Sequence, residues 1–242
     1  MFKRPFFAIF LIFAFVNFSF AQSNSFNQEK EDVISVIDNY FKYIAFDDVD
    51  GVIKALKNKN LNPNTLSKSG DAPLPYAVRE DSYKVFKYLL EVSDINIEMQ
   101  NKSTENALMM LSFKGNLELV KLMVDKYDAE VEKEGWSPIH YAATNGHLPI
   151  IQYLVSKEAY VDAGSPNNTT ALMLAARYGH IKVVKFLLDH DANLSIHNDQ
   201  NLTTIDFALI NNQEEIAYGL KSRWKKLYGT EYIDKPRIFK PN

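Results

Sequence analysis

His147 and His180 are the residue pair best placed to do chemistry in this chain. Each follows a glycine, and they lie 33 residues apart in matching surroundings. Two imidazoles one structural repeat apart could share a divalent metal such as zinc, with a ligand-binding or enzymatic site along that edge as the consequence. Other chemistry is hard to place. The chain has no cysteine, which excludes thiol catalysis, thiolate metal sites and disulfides. No serine stands in a G-x-S-x-G setting, and no G-x-G-x-x-G or phosphate-binding loop occurs. Asp47, Asp48 and Asp50 form an acidic cluster, but the Asp/Asn alternation and later Glu of a calcium loop are missing. The cluster reads as a solvated turn. Asn-x-Ser/Thr triplets at Asn101, Asn167, Asn168, Asn193 and Asn201 bear on modification only where a host glycosylates such sites. A net charge of −3 gives no basic footprint for nucleic acid.

The elements that position these residues repeat. Five stretches superimpose, at Ala72 (APLPYAV), Asn106 (NALMMLS), Ser137 (SPIHYAA), Thr170 (TALMLAA) and Thr203 (TTIDFAL), with spacings of 34, 31, 33 and 33. Each is followed by a second apolar stretch: VFKYLL, LVKLMV, IIQYLV, VVKFLL and a weaker IAYGL. A period near 33 kept over five copies marks a chain of internal repeats. Ser137, Thr170 and Thr203 stand where a hydroxyl caps a first helix, and Pro73 and Pro138 follow such positions. Gly115, Gly146 and Gly179 are placed to end first helices in a left-handed conformation, with Asp81 and Asn212 in that role in the outer repeats.

The pattern resembles the ankyrin repeat. Ser137-Pro138-Ile139-His140-Tyr141-Ala142-Ala143 with Gly146-His147 is nearly its full signature, and Ala171-Leu172, Ala175-Ala176 and Gly179-His180 form a second strong copy. The resemblance implies an all-α ankyrin solenoid of helix-turn-helix units with short hairpin loops. It implies that the histidine after each glycine serves loop hydrogen bonds. It also implies a non-enzymatic protein-binding module, without cofactor or metal, whose concave face is built from the hairpin tips and the two residues before each helix-ending glycine. On this chain that face includes Arg79, Phe113, Lys133, Trp136, Asn145, Asn167, Thr169, Arg177 and Tyr178. Trp, Tyr and Arg are the types that most often anchor interfaces. By contrast Tyr76, Met110, Tyr141, Leu174 and Phe207 share one position and read as core between helices.

The ends depart from the repeat. Lys3 and Arg4, an apolar run from Phe6 to about Val16, and Ser19-Phe20-Ala21 before Gln22 make the three parts of a secretory signal peptide over residues 1–21. The run is short for a spanning helix; retained, it would make the protein a membrane-tethered envelope scaffold. Cleaved, it leaves a chain with a formal charge of −5 in a periplasmic or secreted location, of bacterial type, with no stable membrane insertion. Residues 22–27 read as a disordered linker. The repeat domain spans 28–229, with an N-terminal cap over 28–66 and repeats from about 67, 101, 132, 165 and 198, the last a capping repeat. Val33, Ile34, Ile37, Phe41 and Ile44 give the cap's first helix an apolar face. Residues 230–242 form a C-terminal tail that either packs on the last repeat or extends from it. The expected species is a monomer that binds a protein partner.

Overall fold

The computed structural model describes residues 33–58 and 61–235. The leader over 1–21, the linker over 22–27 and residues 236–242 lie outside the described residues. The described residues contain twelve helices and no strand. They are α1 (33–45), α2 (Val49–Asn58), α3 (Pro73–Arg79), α4 (Tyr83–Leu90), α5 (Ala107–Lys114), α6 (Leu117–Tyr127), α7 (Pro138–Thr144), α8 (Leu148–Ser156), α9 (Ala171–Arg177), α10 (Ile181–Asp189), α11 (Thr204–Ile210) and α12 (Glu214–Tyr228). From α3 onward they form antiparallel pairs. First helices stack on first helices through α3, α5, α7, α9 and α11, while α6, α8 and α10 stack as second helices.

The caps explain where the first helices begin. Asn106 and Thr170 side chains accept the backbone N–H three residues on, from Met109 and Met173. Pro73 and Pro138 occupy first-turn positions, where no N–H is needed. Gly115, Gly146 and Gly179 have φ of 80°, 72° and 81°, and Asp81 and Asn212 take 58° and 57° at the equivalent turns. The core runs unbroken along the stack. Leu74, Ala77, Leu108, Leu111, Ile139, Ala142, Ala143, Ala171, Leu172, Ala175 and Ala176 of the first helices meet Phe86, Leu89, Val120, Met123, Ile151, Leu154 and Leu187 of the second. The small residues let first helices approach closely, which is how a repeat too thin for its own core shares one with its neighbours.

Two expectations about packing need correction. In α1 the buried residues are Tyr40, Phe41 and Ile44, whereas Val33 and Ile34 are exposed because α1 reaches past the helices it packs against. The position shared by Tyr76, Met110, Tyr141, Leu174 and Phe207 is buried only for the last two. Tyr76, Met110 and Tyr141 are half-buried and present an edge to solvent.

Two sets of bonds join one repeat to the next. Side chains of Asn64, Glu98, Glu132 and Asp162 accept the backbone N–H of Asn96, Glu130, Tyr160 and Asn193 in the following loop. His147 and His180 donate from Nε2 in the other direction, to the carbonyls of Phe113 (2.8 Å) and Thr144 (2.9 Å). Because a carbonyl only accepts, Nε2 carries the proton in both rings.

His140 is fully buried and joins two repeats. Its Nε2–H donates to the carbonyls of Ala163 (2.9 Å) and Thr169 (3.1 Å), and its Nδ1 accepts from Ser137. Both nitrogens of the neutral ring are bonded, and a charged ring would have to sit in the protein interior. Burial therefore pushes the His140 pKa below its ordinary 6.5. Below pH 6.5 the unfolded chain takes up a proton that the folded chain refuses, and stability falls with pH until the folded ring itself titrates. The urea midpoint is expected to drop between pH 7.5 and 5.5, with a smaller drop in His140→Gln. An equal drop in both proteins would remove His140 as the cause.

Candidate functional site

The face expected to bind is assembled from two kinds of local structure. Hairpin tips turn at left-handed residues, Gly70, Thr104, Gly135, Asn168 and Asn201, with φ between 58° and 81°. The short first helices stop at the next left-handed residue and leave their last side chains pointing outward. Phe113 is 43% exposed and Tyr178 47%. Arg177, Asn145 and Asn167 are exposed as well.

Three aromatic rings from two repeats meet here. Phe113, at the end of α5, packs edge-on against Tyr141 of α7 with centroids 6.4 Å apart. Tyr141 in turn meets Trp136, from the tip before α7, at 6.3 Å. Trp136 also lies edge-on to His140 at 5.4 Å and is half-buried. It folds onto its own repeat and does not stand free at the tip. The preceding loop is about two residues shorter than its neighbours, which draws the indole inward. The Tyr141 hydroxyl donates to Glu105 Oε1 (3.1 Å), and burial together with the Glu105 charge pushes its pKa up. Edge-to-face rings of this kind form a rigid apolar surface with polar ends. The shared position of Tyr141 reads as core in the sequence; the Trp-x4-Tyr spacing, which places both rings on one side of a helix start, is the signal for its place in this cluster. One repeat further on, the Arg177 guanidinium sits 5.4 Å from the Tyr178 ring centroid.

The other expected residues divide by what already holds them. Arg79 donates to Asp71 through both terminal nitrogens (2.8 and 3.2 Å) and lies 4.6 Å from the Tyr76 ring centroid. Burial alone would raise the Asp71 carboxyl, but the bonds from Arg79 and Ser69 outweigh it and hold the carboxyl below its usual value. The Arg79 charge is thus committed within its repeat. The Asn145 amide donates to the Phe113 carbonyl (2.8 Å) and links α7 to α5. The Asn167 carbonyl accepts from Asp199 N (3.0 Å) and ties one hairpin tip to the next. Lys133 is half-buried at the short tip. Thr169 does not belong to the surface. It is 4% exposed, because the chain turns at Asn168 and sends it inward. Its N–H donates to Ser165 Oγ and its carbonyl receives His140.

The histidine edge does not form a metal pair. His147 and His180 each spend Nε2 on a carbonyl at a different repeat boundary. Among the described residues no group of three or more His, Asp or Glu is gathered in a way that could hold a metal. No helix among them is long and apolar enough to cross a membrane.

A stack of capped helix pairs with aromatic side chains along one edge defines a class: a repeat scaffold that presents a preformed recognition surface. The comparisons carry this to a family. The family model described as Ankyrin repeats (3 copies) matches residues 92–165 and 159–226. This chain belongs to the ankyrin repeat family. Curated relatives include Notch-regulated ankyrin repeat-containing protein of Homo sapiens, 35% identical over 94 residues, which are 36% of this chain and 82% of that protein. Notch-regulated ankyrin repeat-containing protein A of Danio rerio is 37% identical over 90 residues, 35% of this chain and 80% of the relative. Ankyrin repeat and SAM domain-containing protein 6 of Mus musculus is 27% identical over 118 residues, 47% of this chain and 13% of that protein. A chain built of ankyrin repeats is a protein–protein interaction module.

Proposed function

We propose that the chain is a monomeric, non-enzymatic binder of an extracytoplasmic protein, and that its anchor is the cluster of Phe113, Tyr141 and Trp136, extended by Arg177 and Tyr178. The observation that carries this reading is the edge-to-face contact of the three rings across α5 and α7, with Phe113 left 43% exposed. Rings held by their neighbours lose little freedom on binding, so their contact energy is retained in the complex. The arrangement suits a partner with an apolar projection that fits between the hairpin tip and the helix ends. Inhibition, stabilisation and scaffolding of that partner all use the same contact. The extracytoplasmic location rests on the charged start, apolar run and small-residue cleavage site within residues 1–21.

One experiment tests both parts. The protein is isolated from its host after expression of the whole chain, its intact mass is measured, and it is used as bait beside a triple variant, Phe113→Ala, Trp136→Ala and Tyr178→Ala. The expected results are a soluble species beginning at Gln22, and a partner held by the parent at least about tenfold more tightly than by the variant, the effect of losing a central aromatic anchor. A mass that retains Met1 in a membrane fraction would overturn the location. Equal capture by both baits would overturn the surface.

A further inference from the structure

On the side of the stack away from that face, second helices lie side by side, and one outward position reads Tyr88, Leu122, Tyr153, Phe186 and Gly219. The surroundings of this position repeat as well. Tyr153 on α8 is boxed by Lys121 and Asp125 of α6 and by Lys157, which caps the end of α8. The two ammonium groups lie 5.6 and 5.7 Å from its ring centroid, and Lys157 pairs with Asp125 at 2.6 Å. Its buried hydroxyl lies toward Asp125 but makes no hydrogen bond. At the boundary of α4 and α6 the matching residues are Lys87, Glu91 and Lys126. There the slot holds Leu122 and a groove of about 510 Å³ stays open beside it, while Tyr127 turns back to donate its hydroxyl to Glu91 beneath Lys126. At the boundary of α8 and α10 the charges are gone: the matching residues are Gln152, Ser156 and His190, and the slot holds Phe186 stacked on His190 at 3.9 Å. A phenol thus accompanies the charged box, and a plain ring accompanies the uncharged one.

The boundary of α10 and α12 restores the charged box and omits the ring. Lys185, Asp189 and Arg223 occupy the three matching positions, but the residue between them is Gly219. A groove of about 460 Å³ opens there, floored by Ile181, Val184 and Leu188. A Cβ on Gly219 would meet nothing within 4 Å. Arg223 donates from Nη2 to the Leu188 carbonyl (2.7 Å) and lies 3.8 Å from Asp189, while its buried Nε has no acceptor. Among the described residues no tyrosine hydroxyl reaches Asp189, and Lys185 makes no ion pair.

We propose that the groove between α10 and α12 is a receptor slot for a tyrosine side chain of a partner polypeptide, with the ring lying over Gly219 between Lys185 and Arg223 and the hydroxyl donated to Asp189. The groove is much larger than a phenol, so the occupant brings main chain with it, and the one charged box of this protein whose slot is filled by a ring holds a tyrosine. The cations face the ring as they do at Tyr153, where attraction to the π-face adds to apolar burial. This second site shares no residue with the aromatic cluster described above, so either can fail alone.

The test is an amide-resonance titration of the purified protein with N-acetyl-tyrosinamide, N-acetyl-phenylalaninamide and p-cresol. The tyrosine amide is expected to move the Gly219 and Lys185 resonances. The phenylalanine amide should bind about tenfold more weakly, the factor that one hydrogen bond to a charged acceptor supplies. Asp189→Ala should bring the tyrosine amide to the phenylalanine level. Equal binding of the two amides would overturn the assignment of Asp189. Binding of p-cresol as tight as that of the tyrosine amide would overturn the polypeptide as occupant. A second variant needs no ligand. Gly219→Tyr should melt above Gly219→Ala, since both remove the helix glycine but only one supplies the ring, and it should abolish the titration. If Gly219→Tyr melts no higher than Gly219→Ala, the slot does not accept a phenol.

Discussion

A chain ending at Gly229 will be less stable than the full chain by about 3 kcal/mol, although it keeps every described helix. The cause lies at the start of α11. Asp206 occupies the position that His140 holds in α7, three residues after the capping hydroxyl. His140 reaches forward into the next loop, but no further repeat follows α11 among the described residues. Asp206 is 2% exposed and accepts from the Thr203 backbone (2.8 Å) and hydroxyl (3.0 Å). The tail brings the missing partners. Lys235 Nζ lies 3.2 Å from the Asp206 carboxylate and also donates to the Asn201 carbonyl. Tyr232 bonds the Thr203 hydroxyl at 2.6 Å and packs edge-on against Trp224 at 5.0 Å. Ion pairs from Lys221 to Asp234 and from Lys225 to Glu231 hold the strap at its sides. Without it a carboxylate stays in the protein without its counter-charge, which costs more than the lost contacts alone. Urea denaturation of the two chains measures the loss. Asp206→Asn should recover much of it in the shortened chain and little in the full one. Equal midpoints for full and shortened chains would show that the strap contributes nothing.

Gly146→Ala should cost about 3 kcal/mol, and Gly70→Ala only about 1. Both glycines are left-handed, with φ of 72° and 79°, so both variants carry the same backbone penalty. Their surroundings differ. A Cβ at Gly70 meets nothing within 4 Å, whereas at Gly146 it would lie 2.4 Å from His180 Nδ1. The imidazole must move, and its bond to the Thr144 carbonyl goes with it. The glycine is therefore needed for the histidine of the next repeat as well as for its own turn. Chemical denaturation of the two variants separates the backbone penalty from the displaced ring. An equal cost at both positions would mean that the ring moves freely and that its bond contributes little.

Much of this was legible in the sequence, and the failures have physical reasons. The helical solenoid followed from the period near 33 and from hydroxyls, prolines and glycines at fixed offsets. Those residues act within a few positions of themselves, so local chemistry suffices to read them. The site was less legible because exposure depends on the neighbouring repeat. Tyr141 and Leu174 share a position, yet one reaches solvent and the other is buried, as is the larger Phe207, so residue type alone does not decide exposure there. Thr169 was placed on the surface by counting from the loop, but the left-handed turn at Asn168 reverses the direction of the next residue. The role of the tail was undecided from composition alone. Its signal was Asp206 where a neutral donor stands in α7, a buried acid that calls for a cation from somewhere in the chain.

The joints between repeats have a consequence for how such a chain grows. Acceptors at Asn64, Glu98, Glu132 and Asp162 face one way along the stack, and the imidazoles of His147 and His180 face the other. The repeat from about 132 therefore carries both halves of a two-pronged connector, Asp162 for one neighbour and His147 for the other. A duplicated segment from Lys133 to Ser165 would arrive with a plug and a socket already matched to the units on either side. Lengthening the chain by copying needs no new joint, and only the strap that closes the far end has to stay where it is.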